Sequence, residues 1–187
     1  MTYRPGGQTR PPLRPPSRRR TLLIRGRQGD HEHGAAALSA LFEVAQTDPP
    51  SFEGYQVVVY CPDPPVVRGA AAFVQATGIP VQLIPAPARG TLPRLLGCAR
   101  VHLALTPTLP PLRAAMLHGA FPIHARTPEV EALIRDEIGG LLVPPHSPAR
   151  VAQAIRRAIT DDALVDQAAR INRPVARATF RGDSSCE

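Results

Sequence analysis

What most limits the folds open to this chain is an alternation that begins at residue 21. Short runs of β-branched and aliphatic residues are separated by longer stretches in which apolar residues recur at helical spacing. The runs are Thr21 to Arg25, Gln56 to Tyr60, Val81 to Ile84, Val101 to Leu105 and Phe121 to His124. Each is short and largely apolar, as a strand covered on both faces must be. Strands alternating with helices predict βαβ units and a parallel sheet.

The intervening stretches supply the helices. Ala35, Leu38, Leu41, Phe42 and Ala45 fall on one helical face, and Val67, Ala70, Ala71 and Val74 form a second stripe. Thr127 with Pro128 and Ser147 with Pro148 each read as an N-cap followed by proline at the first helical position. The second start leads into Val151, Ala154, Ile155, Ala158 and Ile159. A last helix is predicted from Asp161 to about Ala178, with acids in its first turn and Arg170, Arg173 and Arg177 toward its end, as the macrodipole favours. The expectation is α/β: a Rossmann-like parallel sheet of five to six strands with helices on both faces, over residues 21 to 180. No internal repeat is visible.

Charge and cysteine content narrow the chemistry. The net charge is +7, but it is unevenly spread: residues 1 to 20 hold six arginines and no acid, whereas residues 21 to 169 hold twelve arginines against thirteen acids. The folded part is close to neutral, and with three tyrosines and no tryptophan the chain has little with which to stack bases, so it is poorly equipped to bind nucleic acid. There is no lysine at all, which excludes Schiff-base chemistry and a Walker phosphate loop. Three cysteines, Cys61, Cys98 and Cys186, have neither CxxC spacing nor the even count of a disulfide framework.

Residues 1 to 20 contain five prolines and only Leu13 as a sizeable aliphatic residue, so they read as a disordered Arg/Pro-rich tail, and 181 to 187 as a second flexible tail. Ser17-Arg18-Arg19-Arg20 is followed by only Leu22-Leu23-Ile24 before Arg25, too short an apolar run for an export signal. No stretch approaches the length of a membrane span. A cytoplasmic location is the simplest expectation.

In an open parallel sheet the ligand lies beyond the carboxyl ends of the strands. The loop after the first strand, Gly26-Arg27-Gln28-Gly29-Asp30-His31-Glu32-His33-Gly34, opens a helix. Its glycines let backbone approach a phosphate, the helix start offers N–H groups, and Arg27 can pair with phosphate oxygens or with a surface acid. The glycine spacing does not fit GxGxxG. His31, Glu32 and His33 are too close together in a loop to face one ion, and no metal site is expected. His124 ends a strand on the ligand-bearing edge, where it either bonds a hydroxyl, faces solvent or is locally satisfied. No nucleophile elbow or Cys/His arrangement stands out, and no cofactor is implied.

The segment Val101 to Ile123 runs strand, loop, helix ending in Ala115-Met116-Leu117-His118-Gly119, then a strand opening with Pro122. It resembles the donor-binding half of GT-B glycosyltransferases of the retaining Glu-x7-Glu type. Gly26-Arg27 with His33-Gly34 is similar to that family's Gly-Arg and Lys-Gly, and Gly140-Leu141-Leu142-Val143-Pro144-Pro145 to its GLLVPP strand and turn. The resemblance implies a single GT-B half whose ligand is a nucleotide diphosphate sugar, with Gly26, Arg27, Gly29, His33, Thr106 and Thr108 around the donor.

The same resemblance marks what is changed. Of the two carboxylates that bracket the family's loop, the second position holds Ala114 and the first, by spacing, Thr106. Glu129 and Glu137 have the literal spacing but lie beyond Gly119 in the wrong register. Pro110 and Pro111 stand where the family's helix start bonds the diphosphate, and proline has no N–H to give. The resemblance also implies an acceptor-binding domain, which twenty Arg/Pro-rich residues do not amount to, so a separate chain is a candidate to supply it. No catalytic residue is assigned. Three readings stand: a glycosyltransferase-like donor half, incomplete or inactive alone and with weak or lost donor binding; a non-catalytic nucleotide-binding or protein-interaction module; and a nucleic-acid binder acting through its arginine-rich ends.

Overall fold

A computed structural model describes residues 15–26, 32–88, 90–144 and 146–179, with the side chains of 32 and 33 left aside. The six strands are β1 (Thr21–Arg25), β2 (Gln56–Tyr60), β3 (Val81–Ile84), β4 (Val101–Ala104), β5 (Phe121–Ala125) and β6 (Leu141–Val143). All neighbours pair in parallel in the order β3-β2-β1-β4-β5-β6. This is the Rossmann-like sheet the strand pattern predicts, and the GLLVPP segment supplies its sixth strand. The direction of winding reverses between β1 and β4, which are adjacent with Ile24 opposite Leu103.

Alternate residues of the strands feed two apolar layers. Leu22, Ile24, Val57, Val59, Leu103 and Ile123 face α1 (Glu32–Thr47), α2 (Pro64–Thr77) and α6 (Pro148–Thr160), burying among others Leu41, Phe73 and Ile155. Leu23, Val58 and Tyr60 face the other way, against Leu96 of α3 (Thr91–Cys98) and Ala115 of α4 (Leu109–His118). A third cluster joins Leu112 and Met116 of α4 to Val130, Ile134, Leu142 and Ala176. The long α7 (Asp162–Thr179) contributes Leu164, Val165 and Ala168 to the first layer and Ala176 to the third, so it wraps the domain from one face to the other.

Several helix starts follow their capping chemistry. Asp63 caps α2 by accepting from Val66 N at 2.9 Å, and Asp161 caps α7 by accepting from Leu164 N at 2.9 Å. Thr127 accepts from Val130 N, but the helix it starts, α5 (Pro128–Glu131), is a single turn. Ser147 holds the N-cap position of α6 without a side-chain bond. Helix α3 has no counterpart in the sequence reading: it is eight residues long, with Pro93 in its first turn and Gly97 near its end, and so lacks a clear helical signature.

The chain ahead of β1 also departs from expectation. Pro15 to Arg20, expected to be tail, pack on the domain, with Pro16–Arg18 in a short 3-10 turn. Ser17 donates its N–H and hydroxyl to the Asp166 carboxylate at 3.0 and 2.7 Å. Arg19 is buried and donates to the carbonyls of Ala99 (2.9 Å) and Gly119 (3.2 Å). A composition rule treats arginine as solvated; here carbonyls at the ends of α3 and α4 take the place of water.

Candidate functional site

The carboxyl edge at the β1/β4 switch point is where this architecture places a ligand. On the β1 side, Gly26 N donates to Tyr60 O at 2.8 Å, continuing the β1–β2 ladder to the end of the strand. Gly26 and Gly34 are spatially coupled. A Cβ on Gly26 would stand 2.7 Å from Pro62 Cα and 2.9 Å from Val59 Cγ1, and one on Gly34 would overlap the Gly26 carbonyl. Both glycines are therefore required by close approach of α1 to the strand and to the β2–α2 corner. Arg27 and Gly29 lie outside the described residues, and His33 lies in the first turn of α1.

On the β4 side, Thr106 is buried and Thr108 exposed, and their hydroxyl oxygens lie 3.1 Å apart. Thr108 is the N-cap of α4, and Leu109, Pro110 and Pro111 are its first three residues. An ordinary first turn offers N–H groups to an anion. Here two of those positions are proline, so the first turn of α4 offers two fewer N–H groups than an ordinary one.

Beneath this loop lies a row of buried polar rings that sequence reasoning did not assemble. Tyr60 Oη is 2.9 Å from His102 Nε2, and the two rings stack at 5.9 Å between centroids. His124, on the next strand, is fully buried with Nδ1 3.3 Å from Ala125 O. His102 Nδ1 and His124 Nε2 have no hydrogen-bond partner in the described structure. Burial pushes the His102 imidazole down to about 3, helped by His124 and by Arg25. Burial likewise lowers His124 to about 4. Both rings are neutral at physiological pH, and His124 is not placed to reach solvent. The spacing of the strands carried the signal: His102 and Tyr60 share the face of Leu23, while a single histidine in an apolar run shows no partner in sequence.

The described acids near this edge are engaged elsewhere. Asp63 caps α2, and Arg126, just past β5, holds Glu131 at 2.6 Å and also Asp136, while donating to Leu142 O at 3.0 Å. Glu129 and Glu137 are exposed, and Glu137 pairs with Arg157 on α6 at 3.0 Å. Ala114 is half-buried on α4. Cys61, immediately after β2, holds φ at 51° and donates its N–H to Ile84 O at 2.8 Å, a left-handed backbone that a non-glycine residue adopts only under local constraint.

Among the described residues no group of three or more His, Cys, Asp or Glu is arranged to hold a metal ion, and no helix is long and apolar enough to cross a membrane. A cavity of about 990 Å³ opens at the opposite, amino-terminal edge, between Arg20, Tyr55, Gln56, Gly78 and Pro80.

No protein-family model and no curated protein sequence matches the chain. Solved structures do match in fold. Anabaena HepE in complex with UDP-glucose is 16% identical at a TM-score of 0.69, covering 88% of this chain and 46% of that one. Sucrose-phosphate synthase from Thermosynechococcus elongatus is 20% identical at 0.67, covering 88% and 42%. A UDP-forming trehalose-phosphate synthase from Burkholderia xenovorans is 16% identical at 0.67, covering 89% and 42%. The chain spans less than half the length of these proteins. Its fold is that of one half of a GT-B glycosyltransferase.

Proposed function

We propose that this chain is a glycosyltransferase-like donor-half domain, related to hexose transfer from a nucleotide diphosphate sugar, that binds the nucleotide weakly and does not turn over by itself. One observation carries the reading. The switch-point edge keeps its glycine-mediated close approach at Gly26 and Gly34, while proline occupies two positions in the first turn of α4; the resemblance implies that Ala114 stands where a carboxylate would hold the ribose. The diphosphate has somewhere to sit, but the α4 side offers few groups to hold it.

In this reading Gly26, Arg27, Gly29 and His33 face the diphosphate from β1 and α1, and Thr106 and Thr108 face the nucleotide and sugar. Hydroxyls hydrogen-bond a sugar but supply no negative charge to an oxocarbenium-like centre, so Thr106 and Thr108 do not provide the electrostatic term that usually contributes most to catalysis. Turnover requires an acceptor-binding half as well, and a separate chain is one way to provide it. HepE binding UDP-glucose supports uridine as the first nucleotide to try.

Amide NMR during titration with UDP, GDP and ADP at millimolar concentrations tests the reading. Shifts confined to residues around Gly26 and Thr106, with no UDP-glucose consumed, are the expected result. Sustained sugar-nucleotide turnover by the chain alone would overturn its catalytic half. Shifts for none of the three nucleotides would overturn its binding half and leave a protein-interaction module.

A further inference from the structure

Away from the carboxyl edge, a group of positive charges with little local compensation among the described residues lies along α7. Asp166, Ala169, Arg170, Arg173, Pro174 and Arg177 recur at helical spacing and, with Pro15 and Pro16, line a cavity of about 440 Å³. The cavity lies toward the C-terminal end of α4, which leads into the start of β5, and so toward the opposite edge from the donor site.

Three guanidinium groups line this cavity beside one carboxylate, and that carboxylate accepts two hydrogen bonds from Ser17. Arg173 lies against Gly119, where its guanidinium occupies the space a Cβ would take. Its Nη2 donates to His118 O at a long 3.4 Å, and its Nε is buried with no hydrogen-bond partner. Burial, followed by the charge of Arg177, lowers the Arg173 guanidinium below its ordinary value. Arg19, behind it, is lowered to about 10, first by burial and then by Arg173. The carbonyls at the end of α4 offer roughly half a negative charge between them, which does not balance several cations.

We propose that the α7 cavity binds a phosphate-class oxyanion, held by Arg170, Arg173 and Arg177. The planar fork of arginine matches phosphate oxygens two at a time, and a multiply charged anion offsets the repulsion among the three side chains. The volume accommodates a pyrophosphate-sized group. The site is independent of the donor reading.

Calorimetric titration of the full chain with pyrophosphate at low ionic strength tests this. Saturable one-to-one binding with a Kd below about 1 mM is expected. Arg170→Gln with Arg177→Gln, both exposed positions, should weaken it about tenfold or more without changing the melting temperature. Arg150→Gln, on α6, should leave it unchanged. A second pair, Arg173→Gln with Arg177→Gln, should weaken it at least as much.

Absence of saturation up to about 10 mM would overturn the site. So would equal loss in Arg150→Gln, or binding to a single-stranded oligonucleotide with none to pyrophosphate. Added UDP should leave pyrophosphate affinity within about twofold; competition that persists in the α7 variants would move the phosphate to the carboxyl edge and overturn the α7 site. Failure of UDP to bind bears on the donor reading alone.

Discussion

Gly34, in the first turn of α1, rests directly on the main-chain carbonyl of Gly26 at the end of β1, with Val66 of α2 closing the contact from the side. A Cβ at Gly34 would meet Val66 Cγ2 at 2.6 Å as well as the carbonyl. Backbone cannot retreat as a side chain can, so Gly34→Ala should cost about 1–3 kcal/mol by overpacking. Gly69, inside α2, meets only Leu38 Cδ1 at 3.2 Å. There Gly69→Ala should be neutral or stabilising by up to about 1 kcal/mol, because alanine is the better helix former. Urea denaturation of both variants checks the contrast; equal effects would mean that the Gly26–Gly34 contact does not constrain the site.

The buried imidazoles predict a pH dependence with a definite sign. His102 and His124 bind protons less readily folded than unfolded, with folded values near 3 and 4 against an ordinary 6.5. As pH falls through 6.5, the unfolded chain takes up protons first. Stability from the neutral rings is therefore complete above about pH 6.5 and is lost progressively toward pH 4. Each tenfold difference in proton affinity is worth about 1.4 kcal/mol per group. Between about pH 6.5 and 5, where carboxylates scarcely titrate, the melting temperature should fall, and the His102→Phe, His124→Leu double variant should flatten that slope. An unchanged slope in the double variant would show the rings are not its source.

The strands were legible because a doubly covered strand must be apolar throughout. β1, β2 and β3 coincide with their predicted limits, and β4 and β5 differ by one residue at their ends. Less could be read where local signals and tertiary contacts disagree. Thr127 and Pro128 start a helix properly, yet Arg126 pairs with Glu131 and Asp136 and the segment ends after one turn. Arg19 looks like tail until the open carbonyls of α3 and α4 come within reach. At the site, Thr106 and Pro110 were visible by position, whereas the Tyr60–His102 pair depends on strand order, since β1 lies between β2 and β4.

Arg100 is completely buried, with Nη1 2.7 Å from Asp162 Oδ1 and 2.8 Å from Ser17 O, and Nε 2.8 Å from Ala158 O. It joins the segment ahead of β1 to α6 and α7. The Asp162 side chain is 69% exposed. Water can therefore replace part of what Asp162→Asn removes, and the expected loss is about 1–2 kcal/mol, below that of a fully buried pair. Arg100→Met should additionally release Ser17, so trypsin should cleave at Arg18 to Arg20 several times faster while cleavage within α6 is unchanged. Equal protection in both proteins would show that Arg100 does not hold this segment.

Restoring the missing donors at the start of α4 tests why the site would bind weakly. Pro110→Ala with Pro111→Ala returns two backbone N–H groups to the first turn, at a cost of about 1 kcal/mol in chain entropy. A hydrogen bond to a charged group contributes about 1.5–3 kcal/mol when well aligned, so even one productive bond should raise UDP affinity about tenfold. Ala114→Glu addresses a different atom. Placed to meet the ribose, the carboxylate should strengthen UDP binding a few-fold and leave pyrophosphate binding at the α7 cavity unchanged. The two changes therefore separate: the proline variants should act on UDP through its diphosphate, the glutamate through its ribose. If the proline variants keep their helix by circular dichroism and bind UDP no better, the diphosphate does not sit at the α4 start, and the assignment of Thr106 and Thr108 to the donor falls with it.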